Sequence, residues 1–340
     1  MQWNRKYHEA GNFSMQIPID QYSPEIRYIY TKDRPELGKV TQRNYKSQNN
    51  FRYMQLSGYF IEKELDRHAV YANGTSNITD PAAWIIQSGK AEDVAYAFFD
   101  AFKTICVGDV ISDLEVVAAT SQGRGKHSEH TRNGEYLGNK IYNILKPSGL
   151  SYRVTYDFVN SVRNFEVWSG VDRTQENTEN NNPVIFSTKY GNIKNPDILL
   201  DDTDYKNACI VTNEKTENGV TTVTCRAIFN AAAGDTEYAF LSQKSNINSG
   251  DYSEEDFPLA LENEAINGLG DYPKTINVEF DAIEGSYEYM VDFDIGDLCN
   301  IEIPEVNFSA QARLIGCYEV MKSGKWTMTM EFGTPIIIRK

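Results

Sequence analysis

The stretch WSGVDRTQENTENNNPVIFSTKYGN, Trp168–Asn192, joins two apolar segments through an Asp-Arg-Thr triplet and an Asn-rich tether. Its reading decides whether the chain carries a catalytic centre or a structural joint. Asp172-Arg173 shares a dipeptide with the kinase catalytic loop, but no glycine-rich loop, strand lysine or Asp-Phe-Gly accompanies it. What the residues support is a sharp turn. Gly170 ends a strand, Asp172 accepts backbone N–H bonds, and Arg173 forks onto a carboxylate or carbonyls of a following element. Pro183 then opens the apolar run Val184-Ile185-Phe186-Ser187. On this reading Asp172, Arg173, Thr174 and Ser187 form a structural latch and no residue is catalytic. The intervening NTENNN is expected to be a polar, uncommitted tether.

Outward from this stretch the apolar pattern switches between period two and the helical period. Phe13, Met15 and Ile17 alternate, and EIRYIYT and FRYMQLSGYFIEKEL read as strands, which makes residues 1–85 a β-rich region. Val94, Phe98, Phe102 and Ile105 recur at helical spacing, as do Leu137, Ile141 and Leu145 ahead of Pro147 and Gly149. YRVTYDF and NFEVW follow as a hairpin turning at Asn160-Ser161, so residues 86–168 form an α/β insert. Residues 169–250 are β-rich again, with NACIVTN and VTTVTCRAIF around a turn at Glu217-Asn218-Gly219. Residues 251–340 open with an acidic helix whose apolar positions are Leu259, Leu261 and Ile266 and whose stop is Gly268. They close on alternating runs: Ile276, Val278 and Phe280; Tyr287, Tyr289, Val291 and Phe293; and, after a turn at Ser323-Gly324, Trp326, Met328, Met330 and Phe332. The expected fold class is mainly β with an α/β insert, an α+β chain.

Charge and composition narrow the function. Against 33 Lys+Arg stand 48 Asp+Glu, a net charge of −15 over 340 residues, which disfavours specific nucleic-acid binding because phosphate neutralisation needs a basic face. Five scattered cysteines with no C-x-x-C pair point to reduced, mostly buried thiols. The N-terminus lacks a signal-type apolar region, and no apolar run reaches the length of a membrane span, so folding in a cytoplasm and no membrane partner are expected. His127 and His130 sit in a glycine-rich polar segment expected to be a loop, without a third ligand; His8 and His68 stand alone. The pairs Asp201-Asp202 and Glu254-Glu255 read as solvated surface. Asp292, Asp294 and Asp297 lack a calcium-loop endpoint, since Leu298 and Cys299 follow. Asp292 and Asp294 are expected to face outward on a strand, with Ile295-Gly296-Asp297 as its turn. No cofactor and no metal are expected.

Gly170-x-Asp172-Arg173-Thr174, the polar tether, Val184-Ile185-Phe186-Ser187 and the following Gly-Asn resemble a tail protein family of siphoviruses and related prophages. So do NRKYHEAGNFSMQIP at the start, LSGYFIEKELD, and YMVDFDIGDLCNI with QARLIGCYEVMKSGKWTMTMEFG at the end; the resemblance runs from about residue 3 to 333. Members of that family act as tail-tip or baseplate hub proteins. The resemblance implies two tube-type β-barrel domains per chain and a homotrimeric ring whose six barrels continue a six-fold tail tube. It also implies contacts with tail tube protein, distal tail protein, tape-measure protein and spike or fibre proteins, and a place at the virion tail tip or baseplate. DNA passing through such a hub would slide along an acidic lumen. The chain ends directly after the last hairpin, leaving no room for a cell-wall hydrolase extension, and no enzymatic activity is expected. The competing readings are a β-rich glycan or peptide hydrolase and a carbohydrate-binding β-sandwich module.

Overall fold

The computed structural model describes all residues except 33, 49–50, 68–85, 106–115, 132–134, 233–234, 284, 323, 334–335 and 338–340. His68, Cys106 and Ser323 lie outside the described residues, as do the side chains of Phe102 and Ile105. In chain order the first strands are β1 (Gln2–Lys6), β2 (Asn12–Pro18), β3 (Tyr28–Tyr30), β4 (Leu37–Gln48), β5 (Phe51–Phe60) and β6 (Ile86–Lys90). Helix α1 (Ala91–Ile105), β7 (Val116–Ala118), β8 (His127–Thr131) and α2 (Leu137–Leu145) follow. Then come β9 (Ser151–Asp157), β10 (Val162–Trp168), β11 (Asp172–Arg173), β12 (Ile185–Ser187) and β13 (Ile193–Asp201). The chain continues through β14 (Ala208–Glu217), β15 (Val220–Phe229), β16 (Phe240–Ser245) and α3 (Asp256–Gly270). It ends with β17 (Thr275–Ala282), β18 (Leu298–Ile303), β19 (Phe308–Lys322), β20 (Lys325–Phe332) and β21 (Ile336–Ile337).

Two units divide the chain: Met1–Pro196 with Glu279–Lys340, and Asp197–Val278 between them. These limits fall elsewhere than the regions 1–85, 86–168, 169–250 and 251–340 drawn from the sequence. In the first unit the opening and closing strands share one 13-stranded sheet, whose main path runs β13-β17-β20-β19-β1-β2-β5-β4-β3. Strand β19 is its pivot. Its first half pairs with β18, and its second half pairs with β1 and β20. A register shift between Leu314 and Gly316 separates the halves and leaves Gly316 and Cys317 buried in succession, breaking an otherwise regular alternation.

Local patterning explains most of the elements. Leu137, Ile141 and Leu145 are fully buried on α2, and Val94 and Phe98 on α1, packed with Phe165 of β10 and Tyr152 of β9. Full burial of each such side chain stabilises by about 1.5–3 kcal/mol. Lys146–Ser148 forms a short 3-10 turn after α2, and Gly149 takes the left-handed conformation that ends it. Trp3, Phe13, Leu56 and Phe60 form a separate core between β1, β2 and β5.

Several sequence expectations are corrected. Ile61–Arg67, read as the end of a strand, is a 3-10 segment. Residues 127–131, read as a loop, form β8 paired with β6; residues three apart on a strand point to opposite faces, so His127 and His130 cannot chelate together. The segment 285–297 is a succession of turns rather than a strand. Met290 and Gly296 have positive φ, and Asp292 and Asp294 accept bonds from the backbone N–H groups of Glu288 and Ile295 instead of flanking a ladder.

The second unit is a three-stranded sheet, β15-β14-β16, with α3 on one face. The β14–β15 hairpin turns at Asn218-Gly219, both at positive φ, as a two-residue turn of matching twist requires. Helix α3 buries Leu261, Ala265 and Leu269, whereas Leu259 and Ile266 are exposed, so its inner stripe is offset from the one expected. Gly268 is not a stop. It lies inside the helix, which runs on to Gly270.

Candidate functional site

The Asp-Arg-Thr stretch closes on the turn ahead of β18. Gly170 lies against Gly296, and a Cβ at Gly170 would stand 1.9 Å from the Gly296 carbonyl carbon. Only glycine allows that approach. The buried Asp297 carboxylate gathers three donors: Val171 N–H at 2.7 Å, Arg173 Nε at 2.7 Å and Asp294 N–H at 3.0 Å. Arg173 and Asp297 therefore form a charge-assisted pair in which the carboxylate is withdrawn from water and fully bonded. Leu298 N–H donates to Val171 O at 2.9 Å, and β11 runs parallel to β18 from there.

The rest of the stretch adds itself to the same strand. Strand β12 pairs in parallel with residues 300–302 of β18, so β18 is held by β11 and β12 on one side and β19 on the other. Asn300 Oδ1 accepts from Gln175 N–H at 2.7 Å. Asp172 Oδ1 accepts from Thr174 N–H at 2.9 Å, and Thr174 is buried. Ser187 is wholly buried, and its N–H donates to Asn192 Oδ1 at 2.8 Å while Asn192 Nδ2 donates to Ile185 O at 2.7 Å. Phe186 projects into an aromatic core with ring centroids 5.3 Å from Phe280, 5.2 Å from Phe293 and 5.7 Å from Phe332.

The tether is not uncommitted. Asn177 Nδ2 donates to Thr174 O at 2.6 Å, Asn181 N–H to Asn177 Oδ1 at 3.0 Å, and Asn181 Nδ2 to Asp172 O at 3.0 Å. The sequence reading missed Asp297, Asn177, Asn181, Asn192 and Asn300 as partners of the four latch residues. The available signals were the Gly296-Asp297 dipeptide and the unusual run of asparagines, whose short amides mimic turn backbone. Replacing Asn192 with alanine leaves a buried N–H and a carbonyl unpaired, and is expected to lower stability by about 1–3 kcal/mol in urea denaturation.

A second buried polar group sits in the same unit. Arg5, 3% exposed, donates to Glu36 at 2.6 Å, Asp294 at 2.6 Å and the Tyr289 hydroxyl at 2.5 Å. Arg5 and Glu36 border a cavity of about 30 Å³, with Glu62, Tyr142 and Tyr152 on its wall. That volume suits about one water molecule, not a substrate. Burial, and then the nearby Glu36, push the Glu62 carboxyl up to about 8, while bonds from backbone N–H groups and the charge of Arg5 hold it lower than burial alone would. Burial likewise pushes the Cys317 thiol up to about 12. Among the described residues no group of three or more His, Cys, Asp or Glu is placed to hold a metal ion. Asp201, Asp202, Glu254 and Glu255 are exposed.

The family model for the Siphovirus ReqiPepy6 Gp37-like protein matches residues 1–334. The chain belongs to that family. It is a siphovirus tail protein family, the kind that the sequence motifs resemble. The fold is similar to that of the 43 kDa tail protein of prophage MuSo2 from Shewanella oneidensis, with a TM-score of 0.56 and 10% identity over 97% of this chain and 92% of that one. It is also similar to a tail protein from Neisseria meningitidis MC58, with a TM-score of 0.55 and 13% identity over 98% of this chain and 91% of that one. No curated protein matches the chain in sequence. At these identities the likeness is one of fold, and the family membership rests on the sequence match. No described helix of this tail-family chain is long and apolar enough to cross a membrane.

Proposed function

We propose that the chain is a structural hub subunit at the tail tip or baseplate, continuing the tail tube and anchoring distal parts of the tail. The observation that carries this reading is the 13-stranded sheet that unites the first and last strands of the chain, in a member of a siphovirus tail protein family. In this reading the sheet supplies two tube-type β-barrel elements, one from each end of the chain. Three copies close a ring around the tail axis, and closed cyclic symmetry limits the assembly to that size. Tail tube and distal tail proteins, tape-measure protein and a spike or fibre protein are the proposed neighbours. DNA passes the lumen without specific binding.

Asp172, Arg173, Thr174 and Ser187 act here as a latch rather than as catalytic groups. They hold β18 in parallel register from one side, so that β19 can serve as the common strand of the sheet. The hub is proposed to have no enzymatic activity. Native mass spectrometry of the chain alone and mixed with its tail tube protein tests the reading. A trimer, or a trimer formed on adding tube protein, is the expected result. A species that stays monomeric and binds no tail component overturns it.

A further inference from the structure

The main path of the 13-stranded sheet ends on β13 at one side and on β4 and β3 at the other. Strand β3 pairs only with Leu37–Lys39 of β4, and Val40 N–H donates to Arg27 O. From Gln42 to Gln48, β4 is paired with β5 alone, and no strand adds to its outer side among the described residues. An edge of this kind presents a row of backbone donors and acceptors to a further strand. The two edges carry opposite charge. Between Leu37 and Phe60 stand Lys39, Arg43, Lys46 and Arg52 and no Asp or Glu, in a chain with 48 acids against 33 bases. Lys39 pairs with Glu64, whereas Arg43 donates to the Ile26 carbonyl at 2.6 Å, and Arg43, Lys46 and Arg52 are exposed. On β13 Asp197 and Asp201 are exposed, Asp202 and Asp204 follow, and the strand's one base, Lys194, lies ahead of Pro196. Charge on an edge can also guard a sheet against self-association, but edges guarded against each other repel, and these two attract.

The spacing of the side chains matches as well as their sign. Residues two apart on a strand share a face, and Ser47 stands opposite Arg52, so Arg43, Tyr45 and Arg52 share one face at the β4 edge. Asp197, Leu199 and Asp201 share one face of β13 in the same way. Tyr45 and Leu199 are 52% and 50% exposed in the single chain. Laid along β4, the β13 edge sets Leu199 against Tyr45, one aspartate against Arg43 and the other beside Ser47, within reach of Arg52. The acid–leucine–acid order reads the same from both ends, so the match holds in either strand direction. We infer that the β13 edge of one copy adds to the β4 edge of the next, a head-to-tail contact between copies of this chain. This rests on the hub reading and names the contact that closes its ring, because two different, mutually complementary patches on one chain generate rings.

Charge reversal in the full chain tests the contact, with assembly followed by native mass spectrometry of the chain alone and with tail tube protein. Arg43→Glu with Arg52→Glu, and separately Asp197→Arg with Asp201→Arg, are each expected to raise the concentration for half assembly by about tenfold or more. All four substitutions in one chain restore the attraction and are expected to return that concentration to within about threefold of the parent value. In the parent, hydrogen exchange at residues 42–48 and 197–201 is expected to slow as copies assemble. If the parent forms a trimer and either double reversal assembles equally well, the contact is overturned while the hub reading stands. A parent that stays monomeric and binds no tube protein overturns both. Loss of tube protein binding with self-association intact assigns the β4 edge to the tube protein and overturns the contact, as does a folded four-site chain no better than the double reversals. Should a reversed chain misfold, exchange in the parent decides, and exchange at residues 42–48 that is unchanged by assembly overturns the proposal.

Discussion

Asp297→Ala is expected to destabilise the protein by about 3–5 kcal/mol, because it removes one partner of a buried ion pair and orphans the others. The carboxylate it deletes accepts from Arg173, from Val171 N–H and from Asp294 N–H. Arg173 keeps part of its surface in water, at 19% side-chain exposure against 4% for Asp297, so Arg173→Ala is expected to cost less, about 1–3 kcal/mol. Asp297→Asn should fall between them: it keeps an oxygen for one donor but loses the charge. Urea midpoints of the three variants, with the double mutant Arg173→Ala/Asp297→Ala, give the coupling directly. If the two single losses simply add, the pair is not coupled and the latch reading fails. Because β11 and β12 both lie on β18, the Asp297→Ala chain is also expected to lose the assembly proposed for it before it loses its helices.

The second large effect is one of pH. The Glu62 carboxyl ionises only near 8 in the folded chain, against 4.5 for the unfolded reference, because burial and then Glu36 oppose its charge. Between those values the folded state holds a proton that the unfolded state has released. Stability from this group is therefore complete below about pH 4.5 and is lost as pH rises through about 8. At about 1.4 kcal/mol per unit, the loss across the window is about 3–5 kcal/mol. The charges of Glu36 and Arg5 act on the group, and Tyr142 and Tyr152 share the cavity wall with it. Glu62→Gln removes the titration. Measured at about pH 5 and about pH 8, the parent should lose about 3–5 kcal/mol more than the variant. Parallel pH profiles for the two proteins would show that Glu62 is not the group responsible. The sign matters for a particle component: conditions that ionise Glu62 loosen the core between the 3-10 segment Ile61–Arg67 and the strands it packs on.

The sequence by itself determined the elements whose cause is local. Leu137, Ile141 and Leu145 mark α2 because a helix brings every third or fourth side chain to one face, and Asn218-Gly219 marks a hairpin because both positions need positive φ. Motif order along the whole chain was enough to reach the tail protein family. What the tertiary structure decided is everything that depends on distant partners. Arg173 and Asp297 are 124 residues apart, and the strands that flank β18 come from two separate stretches, the one holding β11 and β12 and the one holding β19. Parallel pairing of this kind leaves no periodic trace beyond a few apolar residues, so Asp297 read as a turn residue and nothing more. The asparagines of the tether looked uncommitted because an amide side chain bonds to whichever backbone groups the fold brings near. In the second unit Phe229 and Phe240 alternate like core residues, and only the position of α3 shows that they occupy the uncovered side. Period two tells which residues share a face of a sheet; which face is covered is set by the packing of elements that the period does not encode.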